Sequence, residues 1–112
     1  NYTNEGQFHH LHEHANSIVS GVLYIDADKS NDQIMFNKKK SSDIKINTDQ
    51  YNLFNSTSWN FKIETGDLIM FPSTLNHKVD YKKGKNTRIS LAFNVFVKGK
   101  IGNKNELTEL IL

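Results

Sequence analysis

An all-β sandwich or barrel is the fold class this sequence predicts, and three observations predict it. Short runs rich in β-branched and aromatic residues recur along the chain. Clusters of Asn, Asp, Ser, Gly and Lys separate them at the spacing of turns, and no segment reads firmly as a helix. The third observation is a period of two over residues 88–97. Arg88, Ser90, Ala92 and Asn94 fall on one face, with Ile89, Leu91, Phe93, Val95 and Val97 on the other. The polar face reads as a binding wall and the apolar face as core. If the polar face instead looks inward, the apolar face must be covered by an N-terminal segment or a second subunit.

Taken in order, residues 1–11 read as an irregular or edge-strand approach in which Gly6 permits a turn. Residues 12–25 read as one long strand, with Gly21 a bend or a point of close packing. On it His12, His14, Asn16, Ile18, Ser20, Val22 and Tyr24 share a face, and Ala15, Val19, Leu23 and Ile25 share the other. Residues 26–32 are a turn by composition and residues 33–36 a short strand. Residues 37–60 form a long polar connection with brief strands at 44–46 and 51–54. Strands follow at 59–63 and 68–71 around a tight turn at 64–67. A loop at 72–76 delivers His77, and a hairpin pairs residues 77–81 with residues 87–97. The tail, residues 99–112, fits either a short helix capped at Asn103 or Asn105 or a returning strand, and strand is the preferred reading.

The bulk properties narrow the classes. A length of 112 residues is that of one domain, so residues 1–112 are expected to form a single unit. The first residue is Asn rather than Met, from which a missing N-terminal segment is expected. Mean hydropathy is −0.59, and no run approaches the ~20 apolar residues of a membrane helix. These bulk properties predict a soluble protein and leave its compartment open. A net charge of +2 is too small for a nucleic-acid stripe, and the clusters Lys38-Lys39-Lys40 and Lys82-Lys83-Gly84-Lys85 read as solvated turns. With no cysteine, any metal must be held by imidazole or carboxylate. Arg88 is the single arginine among fourteen basic residues, as if a planar, bidentate fork were required there.

Four of the five histidines crowd into His9, His10, His12 and His14, and the fifth, His77, stands apart. On a strand, residues two apart project to one side roughly 7 Å from each other, so His12 and His14 can share an ion while Glu13 points away. The interleaved Leu11 and Glu13 argue against a purification tag. His12, His14 and His77 are the candidate metal ligands. Glu5 and Glu13 are the nearby carboxylates, and Glu13 has the wrong parity.

His12-Glu-His14-Ala-Asn-Ser-Ile-Val-Ser-Gly-Val-Leu-Tyr24, Gly66-Asp-Leu-Ile-Met-Phe-Pro-Ser, His77-Lys-Val and Arg88-Ile-Ser-Leu-Ala-Phe-Asn94 resemble successive blocks of 2-oxoglutarate- and Fe(II)-dependent oxygenases known largely from marine bacteria and their phages. The resemblance implies a double-stranded β-helix, the cupin-like jelly roll, with one iron at its open end. It implies a hydroxylase-type dioxygenase that uses Fe(II), 2-oxoglutarate and O2, in the cytoplasm of a bacterial or phage-infected cell. Arg88 and Ser90 would bind the cosubstrate, with Tyr24 or Asn94 adding a hydrogen bond. The family pattern has Asp or Glu where this chain has His14; Asp26, Asp28 or a residue beyond these 112 are the alternatives for that anion. No motif names the substrate, which is a small metabolite or a peptide side chain.

Two other readings stand beside this one. Gly6, five residues, His12-x-His14, then Gly66, five residues, Pro72, four residues, His77 also resemble the two cupin boxes. Thr74 stands where Gly is expected and the first box lacks its Glu. That reading gives a metal enzyme or ligand-binding domain without a keto acid. The third is a non-catalytic jelly roll that serves in an assembly. A homo-oligomer is compatible with all three.

Overall fold

The computed structural model describes residues 1–38, 44 and 47–112, and no helix occurs among them. Eight strands build two antiparallel sheets: β1 (Tyr2–Thr3), β2 (His9–His12), β3 (Val19–Asp26), β4 (Gln33–Asn37), β5 (Ser58–Lys62), β6 (Leu68–Pro72), β7 (Asn76–Val79) and β8 (Arg88–Val95). One sheet has the order β1-β8-β3-β6 and the other β2-β7-β4-β5. The chain changes sheet at every connection except β4 to β5, so it wraps twice around one interior. That double wrap is the jelly roll. Strands β9 (Lys100–Ile101) and β10 (Leu110–Ile111) pair only with each other, so the tail is a returning strand rather than a helix.

Alternation decides what enters the interior. Ser20, Val22 and Tyr24 of β3 are buried, as are Ile34 and Phe36 of β4 and Phe71 of β6, with Ile63 just beyond β5. Val22, Tyr24, Ile34, Phe36, Ile63 and Phe71 form one cluster between the sheets. Fully burying an aliphatic or aromatic side chain of this size contributes about 1.5–3 kcal/mol. On β8, Arg88 and Ser90 point inward and are buried, whereas Leu91 and Val95 are exposed. The apolar side of β8 is therefore not the core. Together with Tyr2 and Ile25 it gives the β1-β8-β3-β6 sheet an apolar outer surface. The Phe93 ring lies over Gly21, its register partner on β3, so that a Cβ on Gly21 would collide with it. Close packing, rather than a bend, accounts for the glycine.

Five sequence expectations differ from the structure. The hairpin expected between residues 77–81 and 87–97 does not form, because β7 pairs β2 and β4 in one sheet while β8 pairs β1 and β3 in the other. The long strand over residues 12–25 is two strands: β2 ends at His12, and β3 begins at Val19 in the opposite sheet. Asn16 makes the crossing with φ of 53°, a left-handed conformation its short polar side chain tolerates. Residues 51–54 are a turn, not a strand. Asn52 Oδ1 accepts from the amides of Phe54 (2.9 Å) and Asn55 (3.2 Å), a local side-chain bond that competes with strand pairing. Strand β8 stops at Val95 instead of reaching Val97. Lys82, expected in a solvated turn, is buried. The strand expected at 44–46 falls largely outside the described residues.

Candidate metal centre

The β2–β7 pairing brings the histidines together. His12 is the register partner of His77, and their ring centroids are 4.3 Å apart. His14 lies past the end of β2, where its amide donates to the Ser73 carbonyl at 2.9 Å. Ser73 is buried, and its hydroxyl bonds Ser17 (2.7 Å) and Ser20 (2.8 Å), tying the His14 and His77 loops to β3. The His14 ring is 5.1 Å from His12 and 5.0 Å from His77. One ring nitrogen from each of the three lies within 4.8 Å of the others. The shared face expected for His12 and His14 thus comes from a strand end and a turn rather than from one continuous strand.

Hydrogen bonds fix two of the rings. His12 Nδ1 donates to the His10 carbonyl at 2.7 Å and His77 Nδ1 to the Leu75 carbonyl at 3.0 Å. In that tautomer each Nε2 keeps a free lone pair, the arrangement that backbone carbonyls impose on metal-binding histidines. Burial lowers the pKa of His77, and the positive charge of the neighbouring histidines lowers it further. Burial and His12 lower that of His14. Both stay neutral at pH 7, the form that binds a metal. With metal–nitrogen bonds of ~2.1 Å, adjacent ligand atoms sit about 3 Å apart, so a small rotation of the half-buried His12 and His14 closes the set. Three imidazoles without thiolate suit iron, zinc, copper or nickel.

No carboxylate joins the cluster found among the described residues. Asp28 bonds the amide of Ser30 and the side chain of Asn31 instead, which holds its carboxyl below the usual range. Asp26 and Glu13 are exposed.

A cavity of about 140 Å³ adjoins the histidines and is lined also by His9, Tyr24 and Ser90. Tyr24 and Ser90 are register partners on β3 and β8. Burial pushes the Tyr24 hydroxyl up to about 12 against the opposing pull of Arg88, so it is a proton donor at neutral pH. Arg88 itself lines an adjoining cavity of about 270 Å³ that shares Val79 with the first. There Arg88 Nη1 stands 3.7 Å and Lys82 Nζ 3.3 Å from Asp32 Oδ1, all three side chains being buried. That oxygen and Arg88 Nε have no aligned hydrogen-bond partner. Asn94 does not line the histidine cavity, and its Oδ1 accepts from Ser20 Oγ at 2.7 Å.

Sequence reasoning missed Asp32, Lys82 and His9. Asp32 was findable, because it shares parity with the inward-facing Ile34 and Phe36. His9 was hidden by a β-bulge: the four residues of β2 from His9 to His12 span only three of β7 from Val79 to His77, which puts His9 and His12 on one side. Nothing local distinguishes Lys82 from its neighbours.

The family described as "Putative 2OG-Fe(II) oxygenase" matches residues 1–94. No match is found among curated proteins. The matched span holds β1 to β7 and all of β8 but Val95, with all three histidines, Arg88 and Ser90, and leaves out Val95, the β9–β10 hairpin and the residues that join the two. By that match, and with a jelly roll around three converging imidazoles, the chain belongs to the 2OG-Fe(II) oxygenase family.

Proposed function

We propose that this chain is a 2-oxoglutarate- and Fe(II)-dependent dioxygenase of the hydroxylase type. The observation that carries the reading is the convergence of His12, His14 and His77 beside a cavity whose other polar groups are hydrogen-bond donors. Fe(II) bound there with 2-oxoglutarate supplies the oxidising chemistry of such enzymes, the reduction of O2 coupled to decarboxylation of the keto acid to succinate and CO2.

The chain's own residues bind and orient. His12, His14 and His77 offer three neutral nitrogens, so the site is one charge more positive than a two-histidine, one-carboxylate set. A dianionic cosubstrate offsets that charge. Tyr24 and Ser90 donate to it from the cavity wall, and Arg88 pairs with its distal carboxylate. Two buried cations, Arg88 and Lys82, face the single carboxylate of Asp32, which leaves one positive charge for an incoming anion. Asn94 enters only as support for the β3–β8 wall through Ser20. The substrate is a small metabolite or a peptide side chain.

One observation favours a second reading, a cupin-type metal enzyme without a keto acid: Arg88 faces Asp32 and lines a different cavity from the histidines. Anaerobic titration of the metal-free protein with Fe(II), then 2-oxoglutarate, separates the two. A visible charge-transfer band that needs far more 2-oxoglutarate in Arg88→Ala supports the oxygenase. Tight iron binding without the band supports the cupin, and no iron binding supports a non-catalytic jelly roll. Arg88→Lys keeps the charge and loses the fork, so undiminished binding in that variant would refute the bidentate assignment.

A further inference from the structure

A cavity of about 500 Å³ that no histidine lines shares Phe71 with the histidine cavity and is bounded by β5 and β6, each the last strand at one edge of its sheet. Its floor is Phe36 and Phe71, whose rings pack edge to face at 4.9 Å. Trp59, Phe61 and Leu75 stand in its walls. Well-packed interiors hold few voids larger than a water molecule, whereas small-molecule sites are apolar hollows of ~300–1,000 Å³ with few polar groups. This hollow belongs to the second kind, since it opens to solvent beside the exposed Leu53 and Trp59.

Two features say what it takes. Among the described residues Lys38 is the one charged residue in the lining, and its ammonium reaches the carbonyls of Leu53 (3.3 Å) and Phe54 (3.5 Å), so its bonds to described residues use two of its three N–H donors and a ligand can take the third. The floor is shared with the metal centre: Phe71 also lines the histidine cavity and lies 4.7 Å from the His77 ring. Leu75 in the wall supplies the carbonyl that orients His77.

We propose that this hollow is the substrate subsite, and that the substrate is a small monoanion with an apolar body of aromatic size, its anionic group held by Lys38. The substrate role rests on the oxygenase reading; the binding site does not. The test therefore begins without metal or 2-oxoglutarate. Trp59, the single tryptophan, reports occupancy. Two probes differ by one sulfonate group: 8-anilino-1-naphthalenesulfonate and its uncharged parent, N-phenyl-1-naphthylamine.

The sulfonate should quench Trp59 saturably at one site and bind about fivefold tighter than the neutral probe, the scale of an exposed ion pair. Lys38→Met should remove that difference, and Leu53→Glu, in an exposed turn, should weaken the sulfonate alone. Leu91→Glu, on the outer face of the other sheet, should change neither. Equal affinity of the two probes, or loss of binding in Leu91→Glu but not in Leu53→Glu, would overturn the site. The substrate role is read separately with Co(II) at the histidines. Its visible spectrum should shift when the sulfonate binds, and an unchanged spectrum would overturn that role. Failure to bind Co(II) would refute the metal centre instead and leave the fluorescence result standing.

Discussion

Lys82→Met tests whether the buried Asp32–Lys82–Arg88 cluster is a structural unit. The Lys82 ammonium donates to the Lys83 carbonyl (2.7 Å) and Asn86 Oδ1 (2.8 Å) and pairs with Asp32 at 3.3 Å, with no solvent access to either charged side chain. Methionine keeps the volume and removes the charge. Asp32 would then keep the Asp28 amide on Oδ2 (2.9 Å), and its only facing cation would be Arg88, 3.7 Å from Oδ1 and without an aligned hydrogen bond. Breaking a buried pair costs about 3–5 kcal/mol, because the surviving partner stays desolvated and uncompensated. Domains of this size hold only about 5–15 kcal/mol in total, so the midpoint of thermal unfolding should fall by roughly 12–20 °C at ~4 °C per kcal/mol. Urea unfolding followed by Trp59 fluorescence measures the loss. Asp32→Asn should also destabilise, and the double variant should cost less than the sum by ~0.5–3 kcal/mol, as expected for side chains in one network. A loss under about 1 kcal/mol for Lys82→Met, the size of a surface ion pair, would refute the argument.

Three further outcomes follow. A divalent metal at one hundred times its dissociation constant should stabilise the protein by about 2.7 kcal/mol; a chelator should reverse the gain, and His77→Ala should abolish it in calorimetry. Acidification should destabilise the metal-free protein as pH falls below 6.5, because His14 and His77 have lowered pKa values and the unfolded chain then binds more protons than the folded one. Melts from pH 7.5 to 5 check the sign, and a flat profile would contradict it. The apolar outer face of the β1-β8-β3-β6 sheet should drive self-association unless an N-terminal extension covers it, so sedimentation velocity of these 112 residues should show concentration-dependent dimers that Leu91→Glu disperses. A native chain that stays monomeric at all concentrations would count against that use of the face.

The parts of the fold that obey a strict period were readable from the chain alone. Alternation grouped Ser20, Val22 and Tyr24 on one face of β3 and Arg88 and Ser90 on one face of β8, and all five are buried. What alternation could not reveal were the places where the chain leaves its period. The Asn16 turn and the bulge between His9 and His12 each add residues that a ladder does not count. His12 and His14 still converge because a turn and a strand end reach the same point that one straight strand would have reached. The exposed side of β8 was misjudged for a different reason. Period shows that two faces differ, but not which of them looks inward, and in this chain the polar one does. Lys82 and Asp32 meet only through tertiary contact, which no local pattern records.

The contact between Gly21 and Phe93 sets a rule for how this sequence can drift. Position 21 is closed to every side chain while the Phe93 ring covers it, and the three heavy atoms nearest the Cβ position all belong to that ring. The constraint therefore belongs to the pair and not to the backbone, since no positive φ demands glycine there. Gly21→Ala alone should be poorly tolerated, as should loss of the ring, which would bare the backbone of two neighbouring strands. Shortening residue 93 first opens the position and makes alanine or valine at 21 favourable in a strand. Among relatives, glycine with an aromatic and a β-branched residue with a small one should appear as two alternative solutions, and the mixed combinations should be rare.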